Sequence, residues 1–131
     1  MARKDESCEE DGCLCASGDL LFLACSGGSN VGQISNQAAV VLAGEGKGRL
    51  FCLAGIGAHL DTMIVAAKER KLVAIDGCPV QCAKKILDHA GLEVALPVVV
   101  TDLGIEKSPS LEVDAVDCAK VVEKIKEGLR V

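Results

Sequence analysis

Two cysteines at a predicted junction between a strand and a helix are well placed to do chemistry. Cys78 and Cys82 lie between an apolar run, residues 72–75, and a helical pattern over residues 83–90. Pro79 suits the first position of a helix, so we expect Cys78 near the N-cap and Cys82 one turn later. At that spacing the two Cβ atoms are about 5–6 Å apart on one helix face, and two thiolates can bind one tetrahedral metal ion. The positive end of the helix dipole favours thiolate over thiol, so the motif predicts thiolate chemistry.

The elements that must position these cysteines are alternating strands and helices. This order predicts a mainly parallel sheet of about four strands within a single three-layer, Rossmann-like α/β domain. Pro97 lies inside the fourth strand and predicts an edge strand or a bulge. Asp114 is the expected N-cap of the last helix, and Cys118 belongs to the apolar stripe of that helix. We expect strands at residues 20–24, 49–54, 71–75 and 93–100, and helices at 31–43, 61–70, the stretch that follows Cys78 and closes at Gly91, and 115–129.

Four cysteines are predicted to lie at one edge of this sheet. Cys25 follows the first strand, Cys52 lies in the C-terminal half of the second, and Cys78 and Cys82 follow the third. The carboxyl ends of parallel strands share one edge, which is where sites form in such sheets. We therefore expect these cysteines to contribute to one shared site.

Several long motifs resemble those of the DGC-domain family, which consists of small bacterial and archaeal proteins described as zinc-binding because of four cysteines. The matching segments are residues 24–33, 51–59, 76–82 and 101–105, and the resemblance runs from about residue 19 to the C-terminus. The resemblance implies that the metal ligands are Cys25, Cys52, Cys78 and Cys82. It implies no particular reaction.

Four thiolates suit Zn²⁺ or, as the alternative, an iron–sulfur cluster. Four protein ligands are typical of a structural zinc site, and three with an open position of a catalytic one. His59 follows a glycine-rich turn expected at the same edge, and it is a candidate ligand or general base. Asp76, in the same motif as Cys78, is a further candidate site residue. His89 lies near a helix C-terminus, where its cation suits the helix dipole, and we assign it no functional role.

The composition excludes several function classes. The 131 residues include two Phe and no Trp or Tyr, and the net charge is −5, so neither stacking platforms nor a basic surface for nucleic acid is expected. No apolar run approaches the roughly 18 residues of a membrane span. The charged N-terminus lacks the apolar core of a signal peptide, and eight cysteines in a reducing, cytoplasmic compartment favour metal or redox chemistry over structural disulfides.

Residues 1–18 are acidic and contain Gly and Ser, so we expect a flexible tail ahead of an α/β domain at 19–131. The tail carries three further thiols, Cys8, Cys13 and Cys15, which are candidates for a secondary metal or redox site.

Two alternatives to a zinc-binding protein remain open. One is a protein that handles thiols, sulfur or soft metals, with the tail cysteines as a mobile arm. The other is an oxyanion-binding enzyme with Cys25 as nucleophile, because a strand, a cysteine, a small polar loop and a helix are also the layout of low-molecular-weight tyrosine phosphatases and arsenate reductases. Those enzymes close the loop with an arginine, and none lies near Gln33, so binding of a small anion is favoured over phosphatase activity. The candidate anion-binding loop comprises Ser26, Gly27, Gly28, Ser29 and Asn30.

Overall fold

The computed structural model describes residues 19–130, so the predicted tail with Cys8, Cys13 and Cys15 lies outside the described residues. Strands and helices alternate as expected, and no helix in the described range is long and apolar enough to cross a membrane. The elements are β1 (Leu20–Ala24), α1 (Asn30–Gly44), β2 (Arg49–Leu50), α2 (Leu53–Gly57), α3 (Asp61–Lys68), β3 (Lys71–Asp76), α4 (Cys82–His89), β4 (Leu96–Val99), a 3₁₀ turn (Val100–Leu103) and α5 (Ala115–Leu129).

The four strands form one parallel sheet with the order β2-β1-β3-β4. After β1 the chain adds β2 on one side, and it then adds β3 and β4 on the other side. The strand order therefore reverses between β1 and β3. The crevice beyond the carboxyl ends of two such strands is the usual ligand site of an open α/β sheet.

Helices cover both faces of the sheet, which confirms the predicted three-layer α/β fold. Alternation along β1 divides the core, because Phe22 packs on one face and Leu21 and Leu23 pack on the other. The first face is covered by α1 and α5, with Ile34 and Ile125 fully buried there, and the second face by α2, α3 and α4.

The bounds of β1 and α5 agree with the sequence prediction, and Asp114 caps α5 by accepting from the amides of Val116 and Asp117. Pro97 does lie in an edge strand, although β4 is shorter than the predicted 93–100. Gly91 follows α4 with φ +77°, as expected for a helix-terminating glycine.

The predicted second strand, residues 49–54, is wrong in length. The amide of Phe51 still donates to the carbonyl of Phe22, but Cys52 is the N-cap of α2 and Leu53 already belongs to that helix. A short apolar run fits a buried strand or a buried helical turn equally well, and burial of Ile56 stabilises the helix here.

The predicted start of α4 is also wrong. Gln81 is the N-cap in a left-handed conformation, with φ +55°, and the helix begins at Cys82 and not near Pro79. Cys78 lies in the preceding turn, where its carbonyl accepts from the amide of Gln81 at 3.0 Å. Cys78 and Cys82 are therefore not one helical turn apart on a shared face.

Candidate thiol site at the carboxyl edge of the sheet

Cys25 is the thiol held most firmly at the reversal of strand order. Its backbone amide donates to the carbonyl of Ile75 at 2.9 Å, which extends the β1–β3 ladder by one residue. The backbone amides of Gly27 and Gly77 lie near its half-buried thiol and act to lower its pKa. The loops after β1 and β3 thus meet at this sulfur.

Two glycines allow these loops to pack against the start of α1. A Cβ at Gly77 would lie 2.7 Å from the carbonyl carbon of Val31. A Cβ at Gly32 would lie 2.7 Å from the backbone nitrogen of Gly27. Since real Cβ atoms essentially never approach backbone so closely, the thiol site is assembled on contacts that only glycine permits.

Asp76, the last residue of β3, is 1% exposed. Its two carboxylate oxygens accept from the backbone amides of Ala83 at 2.6 Å and Lys84 at 3.0 Å. These are orphan donors at the N-terminus of α4, so Asp76 replaces the side-chain cap that Gln81 does not provide. Burial raises the pKa of the Asp76 carboxyl, while the two amides and the charge of Lys85 act in the opposite direction.

The electrostatics of Cys25 show which charged groups lie around it. Burial is the largest effect and raises the pKa of the Cys25 thiol. The amide of Gly27 lowers it, Asp76 raises it, and the amide of Gly77 and the thiol of Cys82 follow with smaller opposing effects. Among the charged neighbours, Asp76 thus affects the Cys25 thiol more than Cys82 does.

Cys78 is half-buried and has a cationic neighbour. The ammonium group of Lys107 lies 3.6 Å from its sulfur. Lys107 belongs to the segment that follows the 3₁₀ turn, and Asn30 holds this segment in place. The side chain of Asn30 donates to the carbonyl of Glu106 at 2.8 Å and accepts from the amide of Ser108 at 2.6 Å.

Cys52 and Cys82 are exposed, each beside the N-terminus of a helix. Cys52 also lines an open, mainly apolar groove of about 560 Å³ together with Ala24, Ser26, Phe51 and Ile86. Cys118 is 7% exposed in the core beneath α5, as the apolar pattern predicted.

The metal site itself is not preassembled. Across residues 19–130, no three or more His, Cys, Asp or Glu side chains are grouped so that they could hold a metal ion. Cys25, Cys52, Cys78 and Cys82 all lie on the loops or helix starts that follow β1, β2 and β3, but a shared centre requires side chains or loops to move. Zinc binding by these four residues therefore stays a prediction.

The predicted anion-binding loop is largely occupied by its own hydrogen bonds. The hydroxyl of Ser29 caps α1 by accepting from the amide of Gly32 at 3.1 Å. Gln33 donates to the carbonyl of Gly27 at 2.9 Å, and Asn30 is engaged with residues 106 and 108. A nucleophilic cysteine is expected to have a lowered pKa, whereas that of Cys25 is raised. These contacts give no support to the nucleophile hypothesis.

His59 has a different neighbour from the one expected. Its Nε2 atom lies 3.1 Å from Nδ1 of His89, the last residue of α4. Since α4 starts at the thiol edge and its last residue is about 10 Å further along the helix axis, this pair lies away from the cysteines.

The family model of the DGC domain matches residues 21–125, which is most of the chain. The chain belongs to the DGC-domain family. This DGC domain is also 29% identical over 110 residues to the anaerobic and virulence modulator AnvM of Pseudomonas aeruginosa, covering 83% of this chain and 84% of AnvM. No solved structure matches it.

Sequence reasoning missed two contributors to the site of this DGC domain. Lys107 lies outside every helix, strand and motif predicted from the sequence, and no local pattern signals that it reaches Cys78. Gln33 was noted in the sequence only because no arginine lies near it. In the structure Gln33 holds the loop after β1 by donating to the carbonyl of Gly27. The capping role of Asp76 had one available signal, namely an aspartate at the end of a buried strand shortly before a helix without a cap of its own.

Proposed function

We propose that this DGC-domain protein binds zinc through the thiolates of Cys25, Cys78 and Cys82, with Cys52 as the fourth ligand. The observation that carries the proposal is the position of Cys25 at the reversal of strand order, where the loop after β1 lies beside the loop and helix start after β3 that carry Cys78 and Cys82. Cys78 lies on the short loop between β3 and α4, just before Cys82 in sequence. Thiolates from neighbouring loops are the ligand type that structural zinc sites use.

The donor set fits a soft divalent ion in chemistry, and its arrangement shows which residues must move. Cys52 and Cys82 are exposed, so their side chains are free to turn. Cys25 is fixed by backbone contacts and is the natural anchor of the site. Zinc, when bound, would supply positive charge among these thiolates. Asp76 stays with the amides of α4 and positions Cys82, the first residue of that helix.

The biological role that we propose is regulatory. AnvM is named as an anaerobic and virulence modulator, and we extend the role of modulator to this chain as part of the proposal. A thiolate site suits such a role because oxidation of cysteine removes its capacity to bind metal.

A thiol redox function is the second candidate, and the same arrangement of thiols supports it. Cys25 and Cys82 follow the adjacent strands β1 and β3, so we take them as the pair to test for a disulfide. This function predicts an oxidised form without metal, so the two candidates differ in a measurable way.

The test is the metal content of the full chain purified without air, with an optical spectrum of the same sample. Single Cys→Ser variants at positions 25, 52, 78 and 82 are compared with the wild type. Cys118→Ala is the matched control, because Cys118 is a buried core thiol that is not among the proposed ligands. A triple Cys→Ser variant at positions 8, 13 and 15 shows whether those thiols contribute.

About one colourless zinc per chain, lost in the Cys25, Cys78 and Cys82 variants and kept in both controls, supports the proposal. Undiminished metal in all four single variants contradicts it. A brown sample containing iron and sulfide replaces zinc with a cluster. Metal-free protein with a disulfide between Cys25 and Cys82 supports the redox function instead.

A further inference from the structure

The two histidines of this chain lie against each other on the surface. The Nε2 atom of His59 is 3.1 Å from the Nδ1 atom of His89. Their rings are nearly perpendicular, with an interplanar angle of 86° and a centroid separation of 5.0 Å. The sequence contains two histidines in total, so both come together at this one point.

The fold brings these two imidazole nitrogens to hydrogen-bond distance, which is also close to the separation of two nitrogens on one metal ion. With metal–nitrogen bonds of about 2.0–2.1 Å, two ligand nitrogens lie about 3.3 Å apart in a tetrahedral site and about 2.9 Å apart in cis positions of an octahedral site. The observed separation of 3.1 Å falls between these values. We propose that His59 and His89 form a second metal site, separate from the cysteines, for a divalent transition ion that prefers imidazole, such as Zn²⁺.

The backbone at His59 indicates that the position of its ring is imposed by the fold. His59 has φ +59°, one of two positive φ values among the non-glycine residues described. Its amide donates to the carbonyl of Ile56 at 2.9 Å, which continues the turn after α2. A left-handed conformation is unfavourable for a residue with a Cβ, and such strain is often found at functional positions.

Packing between α2 and α4 fixes the distance between the two rings. Side-chain carbons of Ile86 lie within ordinary contact of the Cβ position of Gly57, at 3.8 Å. Ile86 lies one turn before the end of α4, and Ile56 and Leu87 are fully buried beside it. The backbones that carry His59 and His89 are therefore held by the core, while both side chains are exposed.

Binding an ion requires rotation of the rings and a change of tautomer, but no net loss of a proton. In the metal-free pair one of the facing nitrogens carries the hydrogen that the other accepts. Coordination uses the lone pairs of Nε2 of His59 and Nδ1 of His89, so that hydrogen moves to the other nitrogen of its ring. Exposure leaves room for this rotation and leaves the remaining coordination positions open to water.

A cation at this site would connect two helices that carry cysteines. Cys52 occupies the N-cap position of α2, and Cys82 is the first residue of α4. His59 lies just beyond the other end of α2, and His89 is the last residue of α4. The histidine site would thus fix the relative position of α2 and α4 from the side remote from the thiols.

The test is a Zn²⁺ titration of the full chain followed by NMR of the imidazole nitrogens. Because the chain has two histidines, each ring gives an assignable set of signals, and these signals do not report zinc bound by thiolates. The variants are His59→Asn, since asparagine tolerates positive φ, and His89→Gln. Lys85→Gln is the matched control, an exposed substitution on α4 four residues before His89.

The expected result is that Nε2 of His59 and Nδ1 of His89 shift together with one affinity in the wild type and in Lys85→Gln. In each histidine variant the remaining ring should bind Zn²⁺ at least about tenfold more weakly, because one of two protein ligands is lost. A response of one ring alone, single variants that bind Zn²⁺ as tightly as the wild type, or no response at millimolar Zn²⁺ would overturn the proposal. Loss of zinc from the cysteine variants leaves this readout unchanged, so the two metal proposals fail separately.

Discussion

The carboxylate of Asp76 caps helix α4 by accepting a hydrogen bond of 2.6 Å from the backbone amide of Ala83. The second oxygen accepts from Lys84, so one buried side chain satisfies two orphan amides. This contact joins the end of β3 to the start of α4. It sets the position of Cys82 relative to the loops that carry Cys25 and Cys78.

Replacement of Asp76 by alanine should destabilise the protein by about 2–3 kcal/mol, because the amides of Ala83 and Lys84 lose a charged acceptor inside the protein. The measurement is the free energy of unfolding in urea. Asp114→Ala removes the exposed cap of α5 and should cost about 1 kcal/mol. Equal losses for the two variants would mean that burial adds nothing to the Asp76 cap.

The sequence predicted the layered fold because its strongest patterns were unambiguous. The apolar run of β1 and the stripe and cap of α5 led to the observed bounds. The errors lie where a local pattern had two solutions that tertiary contacts decide. Cys52 is the N-cap of α2, a helix in which Ile56 is fully buried. Helix α4 starts late, where Asp76, six residues before Cys82, supplies its cap.

The candidate site was only partly predictable for a related reason. Parallel strands place Cys25 and Cys78 at one sheet edge whatever their loops do, so topology alone was sufficient for them. Lys107 is 29 positions from Cys78 in sequence, and His59 is 30 positions from His89. Both contacts depend on the path that the chain takes between the two residues. No local pattern encodes such contacts.

Gly32 and Gly44, both in α1, should respond in opposite ways to alanine. A Cβ at Gly32 meets the backbone of Gly27, so Gly32→Ala should destabilise the protein by about 2 kcal/mol and disturb the loop around Cys25. Gly44 has open space and ends the helix, so Gly44→Ala should stabilise it by about 0.5 kcal/mol. Urea unfolding of both variants measures the difference, and a destabilising Gly44→Ala would contradict the open space found there.

The stability of the protein should depend on pH through Cys118 in the alkaline range. Burial raises the pKa of the Cys118 thiol in the folded protein. A thiol of this kind contributes stability that is fully present below its unfolded pKa, about 8.5, and lost as pH rises through its folded pKa. Cys118→Ala should cost about 1 kcal/mol at pH 7, and its deficit relative to the wild type should shrink above about pH 8.5. Urea unfolding of both proteins between pH 7 and 10 measures this deficit, which would stay constant if Cys118 did not titrate.

The reactivity of the thiols should follow their exposure and the pKa of Cys25. In reduced, metal-free protein with Ser at positions 8, 13 and 15, Cys52 and Cys82 should be alkylated first because both are exposed. Cys25 should react at least about tenfold more slowly, because burial and the neighbouring charges raise its pKa and lower its thiolate fraction. Cys118 should react only on unfolding.

Isotope-coded N-ethylmaleimide with mass spectrometry gives the rate at each position. If Cys25 reacted faster than Cys82, Cys25 would be an activated nucleophile, and the oxyanion hypothesis would then be preferred over a metal anchor.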